Sequence, residues 1–181
     1  MDLTQVILVD EQDNALGSCE KMEAHRKGLL HRAFSVFVFN RKGEMLLQQR
    51  AMHKYHSGGL WTNACCSHPA LGESTQDAVH RRLVEEMGFD TPAQKLFDFV
   101  YLAGFDNGLT EYEFDHVYSG EYNGEIRCNP DEVMDYCYKP MQAIAESLQT
   151  RPGLYTAWFQ LAFPKIENWW QQQYGAPALT D

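Results

Sequence analysis

Two β-rich runs joined by a tight turn constrain this chain most. Leu96–Gly104 and Leu109–Ser119 are rich in strand formers and are separated around Asp106-Asn107-Gly108. Asn-Gly is the dipeptide that a turn with positive φ prefers, so the pair predicts a β-hairpin. A second hairpin is predicted where Ala33–Phe39 (AFSVFVF) meets Glu44–Gln49 across Asn40-Arg41-Lys42-Gly43. Val6–Val9 and Ala15–Lys21 read as strands on either side of a turn at Asp10–Asn14, and Glu132–Tyr138 adds another. Helices are fewer. The clearest is Ser74–Met87: Ser74 is a plausible N-cap with Asp77 three residues on, Gly88 is the stop, and Ala78, Val79, Leu83 and Met87 form the apolar stripe. Met141–Leu148 follows Pro140, and Tyr155–Tyr174 is expected to be interrupted at Pro164. Met22–Leu30 is either helical or irregular. Hairpin strands outnumbering helices predict one α+β domain over residues 1–181, with a mixed or mainly antiparallel sheet.

Charge and cysteine usage narrow the partners. The net charge of −10 argues against nucleic acid or an anionic membrane surface, and leaves an anionic substrate possible only beside local cations or a metal ion. No apolar run approaches the roughly 20 residues of a membrane span. The acidic start MDLTQVILVDEQD does not read as a signal peptide. Five cysteines, an odd number without framework spacing, point to a reducing, cytoplasmic compartment.

Three stretches carry candidate chemistry. In Trp61–Glu73 (WTNACCSHPALGE) an extended Thr62–Cys66 would place Thr62, Ala64, Cys66 and His68 on one face and Asn63 and Cys65 on the other. A thiol and an imidazole so spaced can hold a metal or keep a thiolate beside a cation; a buried cysteine with a loop histidine after it is the other reading. In Leu109–Val117 (LTEYEFDHV) a strand would align Glu111, Glu113 and Asp115, about 6.5–7 Å apart. Such carboxylates repel unless a cation or proton neutralises them, or unless the face is solvated. His25 and His31 frame a glycine-containing segment in Glu20–Ser35. With His68, Glu111 and Glu113 they would make a nitrogen–oxygen ligand set suited to a five- or six-coordinate divalent transition ion.

The helix and its lead-in, GESTQDAVHRRLVEEMGF, resemble the Nudix box of enzymes acting on diphosphates. Glu73, Arg81, Leu83, Glu85, Glu86, Gly88 and Phe89 match; Arg82 replaces a metal-binding glutamate and Ser67 a leading glycine. That departure argues against hydrolysis of a diphosphate but not against binding one. With Lys21–His25, GLLHRAFS (Gly28–Ser35), WTNACCSHP (Trp61–Pro69), the Glu111-Tyr112-Glu113 pair and Trp158, nearly the whole chain resembles the type I isopentenyl-diphosphate isomerases, built on a modified Nudix fold.

The resemblance implies interconversion of isopentenyl and dimethylallyl diphosphate, in isoprenoid biosynthesis, through protonation and deprotonation. It implies Cys66 and Glu113 as the catalytic pair, helped by Tyr101, with Trp158 over the developing cation. In the usual picture Glu113 handles protonation and a Cys66 thiolate takes the other proton. It implies Mn²⁺ or Zn²⁺ on His25, His31, His68, Glu111 and Glu113. A separate Mg²⁺ would bridge the diphosphate to Glu86. Lys21, Arg50 and Lys54 match the diphosphate-binding cations, with Arg82 a further candidate. The expected partner is a small prenyl diphosphate, and the expected assembly a monomer. A Nudix hydrolase, a metal- or diphosphate-binding module and a cysteine hydrolase are the competing classes. Asp115, His116 and His56 receive no role from the sequence.

Overall fold

The computed structural model describes residues 4–175. In chain order these are β1 (Gln5–Val9), β2 (Ala15–Glu20), α1 (Lys21–Lys27), β3 (His31–Phe39), β4 (Met45–Arg50), β5 (Trp61–Asn63), β6 (Cys65–Ser67), α2 (Thr75–Met87), β7 (Ala93–Gly104), β8 (Thr110–Glu121), β9 (Val133–Lys139), α3 (Met141–Thr150), a 3₁₀ turn at Pro152–Leu154, and α4 (Ala157–Tyr174). The α+β expectation holds.

β3 is the hub. It runs parallel to β8 for nine residues, from His31 opposite Glu113 to Phe39 opposite Glu121. Its other edge pairs antiparallel with β6 at Phe34, Ser35 and Val36. The predicted β7–β8 hairpin forms, closed by the Phe105 N–H to the Leu109 carbonyl (2.9 Å), with Gly108 at φ 79°. The predicted β3–β4 hairpin is corrected. Its turn forms, but only Phe39 and Met45 pair, and β4 instead lies between β5 and β9. The run AFSVFVF is apolar on both faces, which suits an inner strand beside a parallel partner better than a hairpin arm.

Those two faces serve two cores. Phe34, Val36 and Val38 pack with Ala78, Val79, Leu83 and Met87 of α2. Phe37 and Phe39 pack with Ile144 of α3 and with Phe159 and Ile166 of α4. The capping of α2 is as predicted: the Ser74 side chain accepts from the Asp77 N–H, and Gly88 takes a left-handed conformation. The expected break at Pro164 is corrected. The helix continues through it, because Trp158, Phe159 and Ala162 before the proline and Phe163 and Ile166 after it are all buried. That packing outweighs one lost backbone hydrogen bond. Met22–Leu30, open in sequence, begins as α1. Glu20 caps it and Gly28 ends it with φ 61°.

Gly88 is required twice. Its φ is 73°, and a Cβ there would lie 2.2 Å from the Arg127 carbonyl oxygen. Gly88→Ala should lower unfolding stability by about 1–3 kcal/mol in urea denaturation. A loss within the ±0.5 kcal/mol typical of featureless positions would show that the backbone contact is not needed.

Candidate active site

Register assembles the site. Opposite pairs put His31 beside Glu113 and Ala33 beside Asp115 on the parallel ladder, Ser35 beside Cys66 on the antiparallel one, and Tyr101 beside Glu113 in the hairpin. His25 comes from the inner face of α1, whose Arg26 and Lys27 stay outside.

Two histidines are aimed by the backbone. His25 Nδ1 donates to the Lys21 carbonyl (2.6 Å) and His31 Nδ1 to the Leu29 carbonyl (2.8 Å). Each Nε2 is buried and without a hydrogen-bond partner, 3.7 Å from Glu111 Oε1 for His25 and 3.5 Å from Glu113 Oε1 for His31. A ring fixed through one nitrogen with its other lone pair unclaimed is how a protein presents imidazole to a metal. Ligand atoms of His25, His31, His68 and Glu113 all lie within 4.8 Å of one another, and His25, His56 and Glu111 form a second such group. Four of the five predicted ligands, His25, His31, His68 and Glu113, thus meet in one group, Glu111 joins His25 and His56 in the other, and such donors fit a divalent transition ion.

The carboxylates are dry. Glu111 is 5%, Glu113 6% and Asp115 1% exposed, so the solvated-face reading is set aside. Two unit charges about 7 Å apart would repel by roughly 2–3 kcal/mol at an effective dielectric of 20. Burial and the neighbouring Glu111 charge push Glu113 upward, but the adjoining His31 and His68 rings outweigh both and hold it at about 2. Burial also opposes ionisation of Glu111, yet His25, His56 and Tyr101 hold it well below the usual range. The Tyr101 hydroxyl lies 2.5 Å from Glu113 Oε2 and 2.7 Å from Glu111 Oε2, and can donate to either. Burial drives His68 down to about 4, although its Nε2 is 2.9 Å from Glu113 Oε1. Asp115, deeper still, is pushed well up by burial and the Glu113 charge, and accepts from Ser35 Oγ at 2.7 Å.

Cys66 borders the same cavity as Glu113, Tyr101 and Trp158. Its Sγ accepts from the Trp158 indole N–H at 3.1 Å and donates to Asn63 Oδ1 at 3.0 Å. Asn63 was expected on the opposite face. Instead β5 and β6 are separated by a bend at Ala64, which turns Asn63 back toward the thiol. The Asn63 amide N–H groups are held by the Val36 and Cys65 carbonyls (3.0 and 2.8 Å), so its oxygen must face the sulfur. The protein groups around the sulfur favour the thiol over the thiolate. Burial and the Asp115 charge push the Cys66 thiol up, and outweigh its hydrogen bonds with Ser35 and Asn63. Cys65 packs into the core beneath α2.

The predicted cations line the cavity, but unequally. Lys21 Nζ lies 4.9 Å from the Tyr55 ring centre, and the Arg50 guanidinium carbon 5.1 Å from that of Trp158. Arg82 is already paired, at 2.6 Å to Glu85 and 2.7 Å to Glu86. Glu86 also accepts from Gln48 Nε2 at 3.0 Å. His56, Ser35, Asn63 and Glu132 were missed. His56 Nε2 comes within 2.7 Å of Glu111 Oε1, and its place two residues after Lys54 was the available signal. Ser35 and Asn63 become visible only through strand register. His116, without a role in the sequence, approaches Asp13 Oδ2 at 2.9 Å, near the outer turn that holds Arg32.

Comparison with known proteins bears on this geometry. The NUDIX domain family matches residues 29–159. The chain is 52% identical over 171 residues to the isopentenyl-diphosphate Delta-isomerase of Pectobacterium atrosepticum, covering 94% of this chain and 96% of that one. It is 49% identical to the isopentenyl-diphosphate Delta-isomerase 2 of Photorhabdus laumondii, covering 91% and 96%. A solved structure from Deinococcus radiodurans is similar in fold, with a TM-score of 0.71 at 16% identity over 89% of this chain and 98% of that one.

Dialysed protein titrated with Mn²⁺ or Zn²⁺ should bind one ion. His25→Ala and His31→Ala should each weaken it by at least about 10–100-fold, while Glu86→Gln leaves it unchanged. Equal loss in all three variants, read by calorimetry and metal analysis, would contradict a separate histidine site.

Proposed function

From the premise that the chain belongs to the Nudix family, and within it to the isopentenyl-diphosphate Delta-isomerases, we infer that it interconverts isopentenyl and dimethylallyl diphosphate. The reaction moves a double bond by one position. A proton is added to the terminal carbon and another is removed from C2. An unactivated alkene is a weak base, so the transition state approaches a tertiary carbocation. Such a step needs a proton donor, a proton acceptor, little water and electron-rich walls.

Cys66 and Glu113 are proposed as the donor–acceptor pair, and the observation that carries this is that both border one buried cavity. The pair must begin each turnover with one transferable proton between them. Burial keeps a proton on Cys66, and Glu113 is ionised. Because the reaction runs both ways, the donor in one direction is the acceptor in the other. Tyr101 steadies Glu113 through its hydroxyl. Trp158 fixes the sulfur with its N–H and offers an aromatic wall to the developing cation. Lys21, Arg50 and Lys54 are proposed to receive the diphosphate, offsetting the overall charge of −10 locally.

His25, His31, His68, Glu111 and Glu113 are the residues that would hold Mn²⁺ or Zn²⁺, whose charge would fix Glu113 and tune its proton affinity. Glu86 is the residue proposed to hold Mg²⁺ beside the diphosphate, once Arg82 releases it. Hydrolysis is disfavoured, because Arg82 occupies Glu85 and Glu86 with a guanidinium. No helix among the described residues is long and apolar enough to cross a membrane. All five cysteines are free, in keeping with the cytoplasmic location proposed here.

Cys66→Ala should lower kcat by at least about 10²–10⁴-fold with fold and metal content intact, measured by conversion of labelled isopentenyl diphosphate. Substantial residual turnover would remove Cys66 from the catalytic pair. Glu86→Gln should raise the Mg²⁺ concentration needed for half-maximal rate. An unchanged Mg²⁺ requirement would refute its assignment.

A further inference from the structure

Glu132 has no role in the reaction as described so far, yet its position is closely built. It precedes β9, where its carbonyl accepts from the Ala51 N–H (2.9 Å) and its N–H donates to the Asn129 carbonyl (3.0 Å). The Asn129 N–H in turn donates to the Glu86 carbonyl at 2.8 Å. The backbone beneath Glu132 is thus tied to the Lys54 loop and to the end of α2. Its side chain then spans two cations. Oε2 accepts a hydrogen bond from Lys54 Nζ, and Oε1 lies 3.4 Å from Arg82 Nη2.

The location of this clasp gives it meaning. Lys54, Arg82 and Glu132 border both the inner cavity, which holds Cys66 and Glu113, and an outer cleft reaching to Gln5, Pro69 and Arg81. The inner cavity offers only about 50 Å³ and the cleft about 180 Å³. The first volume suits a few water-sized occupants, not a five-carbon diphosphate. Side chains shared by the two spaces must therefore move for substrate to enter. A carboxylate on an ammonium and a guanidinium resembles one phosphoryl group on the same donors. The Glu132, Lys54 and Arg82 side chains are 21%, 21% and 17% exposed, so their pairing is only partly screened.

We propose that Glu132 is the resident anion of the diphosphate seat: it holds Lys54 and Arg82 in place across the mouth, and the incoming diphosphate displaces it. This rests on the reading of Lys54 and Arg82 as diphosphate-binding cations. Glu132 is a positioning residue in this scheme, acting through the two cations. Its charge keeps them from repelling one another, and it makes entry costly for any anion too weak to take both.

The test is calorimetric titration of Mg²⁺-free protein with inorganic pyrophosphate. Glu132→Gln keeps the shape and removes the charge, so pyrophosphate should bind about tenfold tighter than to the unaltered protein. KM for isopentenyl diphosphate should fall while kcat does not rise. Damage to a merely structural residue would weaken binding instead. Glu132→Asp, which withdraws the carboxylate by one methylene, should tighten binding to a lesser degree and serves if the glutamine variant does not fold. Unchanged or weaker pyrophosphate binding in a folded variant, beside normal binding by the unaltered protein, would overturn the role of Glu132 alone. Absence of pyrophosphate binding by the unaltered protein would overturn the cation assignment and this inference with it.

Discussion

The register of β3 between β8 and β6 is the constraint on which the site depends. One parallel ladder sets His31 against Glu113, and one antiparallel ladder sets Ser35 against Cys66. A slip of one residue would turn every side chain of a strand to its other face. A slip of β3 would part His31 from Glu113 and Ser35 from Cys66. The register is in turn fixed by those cores. Phe34, Val36 and Val38 are committed to the α2 side, and Phe37 and Phe39 to the side of α3 and α4. Packing that stabilises the fold thus also aligns the proton-transfer groups, without a separate device.

Electrostatics then decides the chemistry that the alignment permits. Three dry carboxylates on one strand face are tolerated because each has a different compensation. Glu111 and Glu113 are held ionised by imidazoles and Tyr101, whereas Asp115 is pushed toward its neutral form. Unlike environments for like groups are how a fold separates acid from base roles. Cys66 sits among an indole donor, an amide acceptor and a hydroxyl. The same reasoning explains why a chain of net charge −10 can serve an anionic substrate: its cations are gathered at one mouth.

Much of this was legible in the sequence, for identifiable reasons. Asn107-Gly108 announced the β7–β8 hairpin, and the Ser74 and Gly88 caps announced α2, because those signals are local. Alternation along LTEYEFDHV placed Glu111 and Glu113 together, since strand periodicity is strict. What was not legible was long-range. Nothing in AFSVFVF says that its partner is β8 rather than the segment after the next turn. Asn63 faced the wrong way in the sequence reading because a bend at Ala64 breaks the period of two. The state of Cys66 depended on how deeply Asp115 and its own sulfur were buried, and burial is a tertiary property. His56 and Glu132 lie in connecting segments, where periodicity carries no information.

Proton NMR of the purified protein with isopentenyl diphosphate, Mg²⁺ and Mn²⁺ in deuterated water tests the proton-transfer reading most directly. Methyl resonances of dimethylallyl diphosphate should appear, with deuterium from solvent incorporated into the methyl group formed at the terminal carbon. An alkene that stays unchanged while phosphate is released would contradict it, and would make the chain a hydrolase despite Arg82.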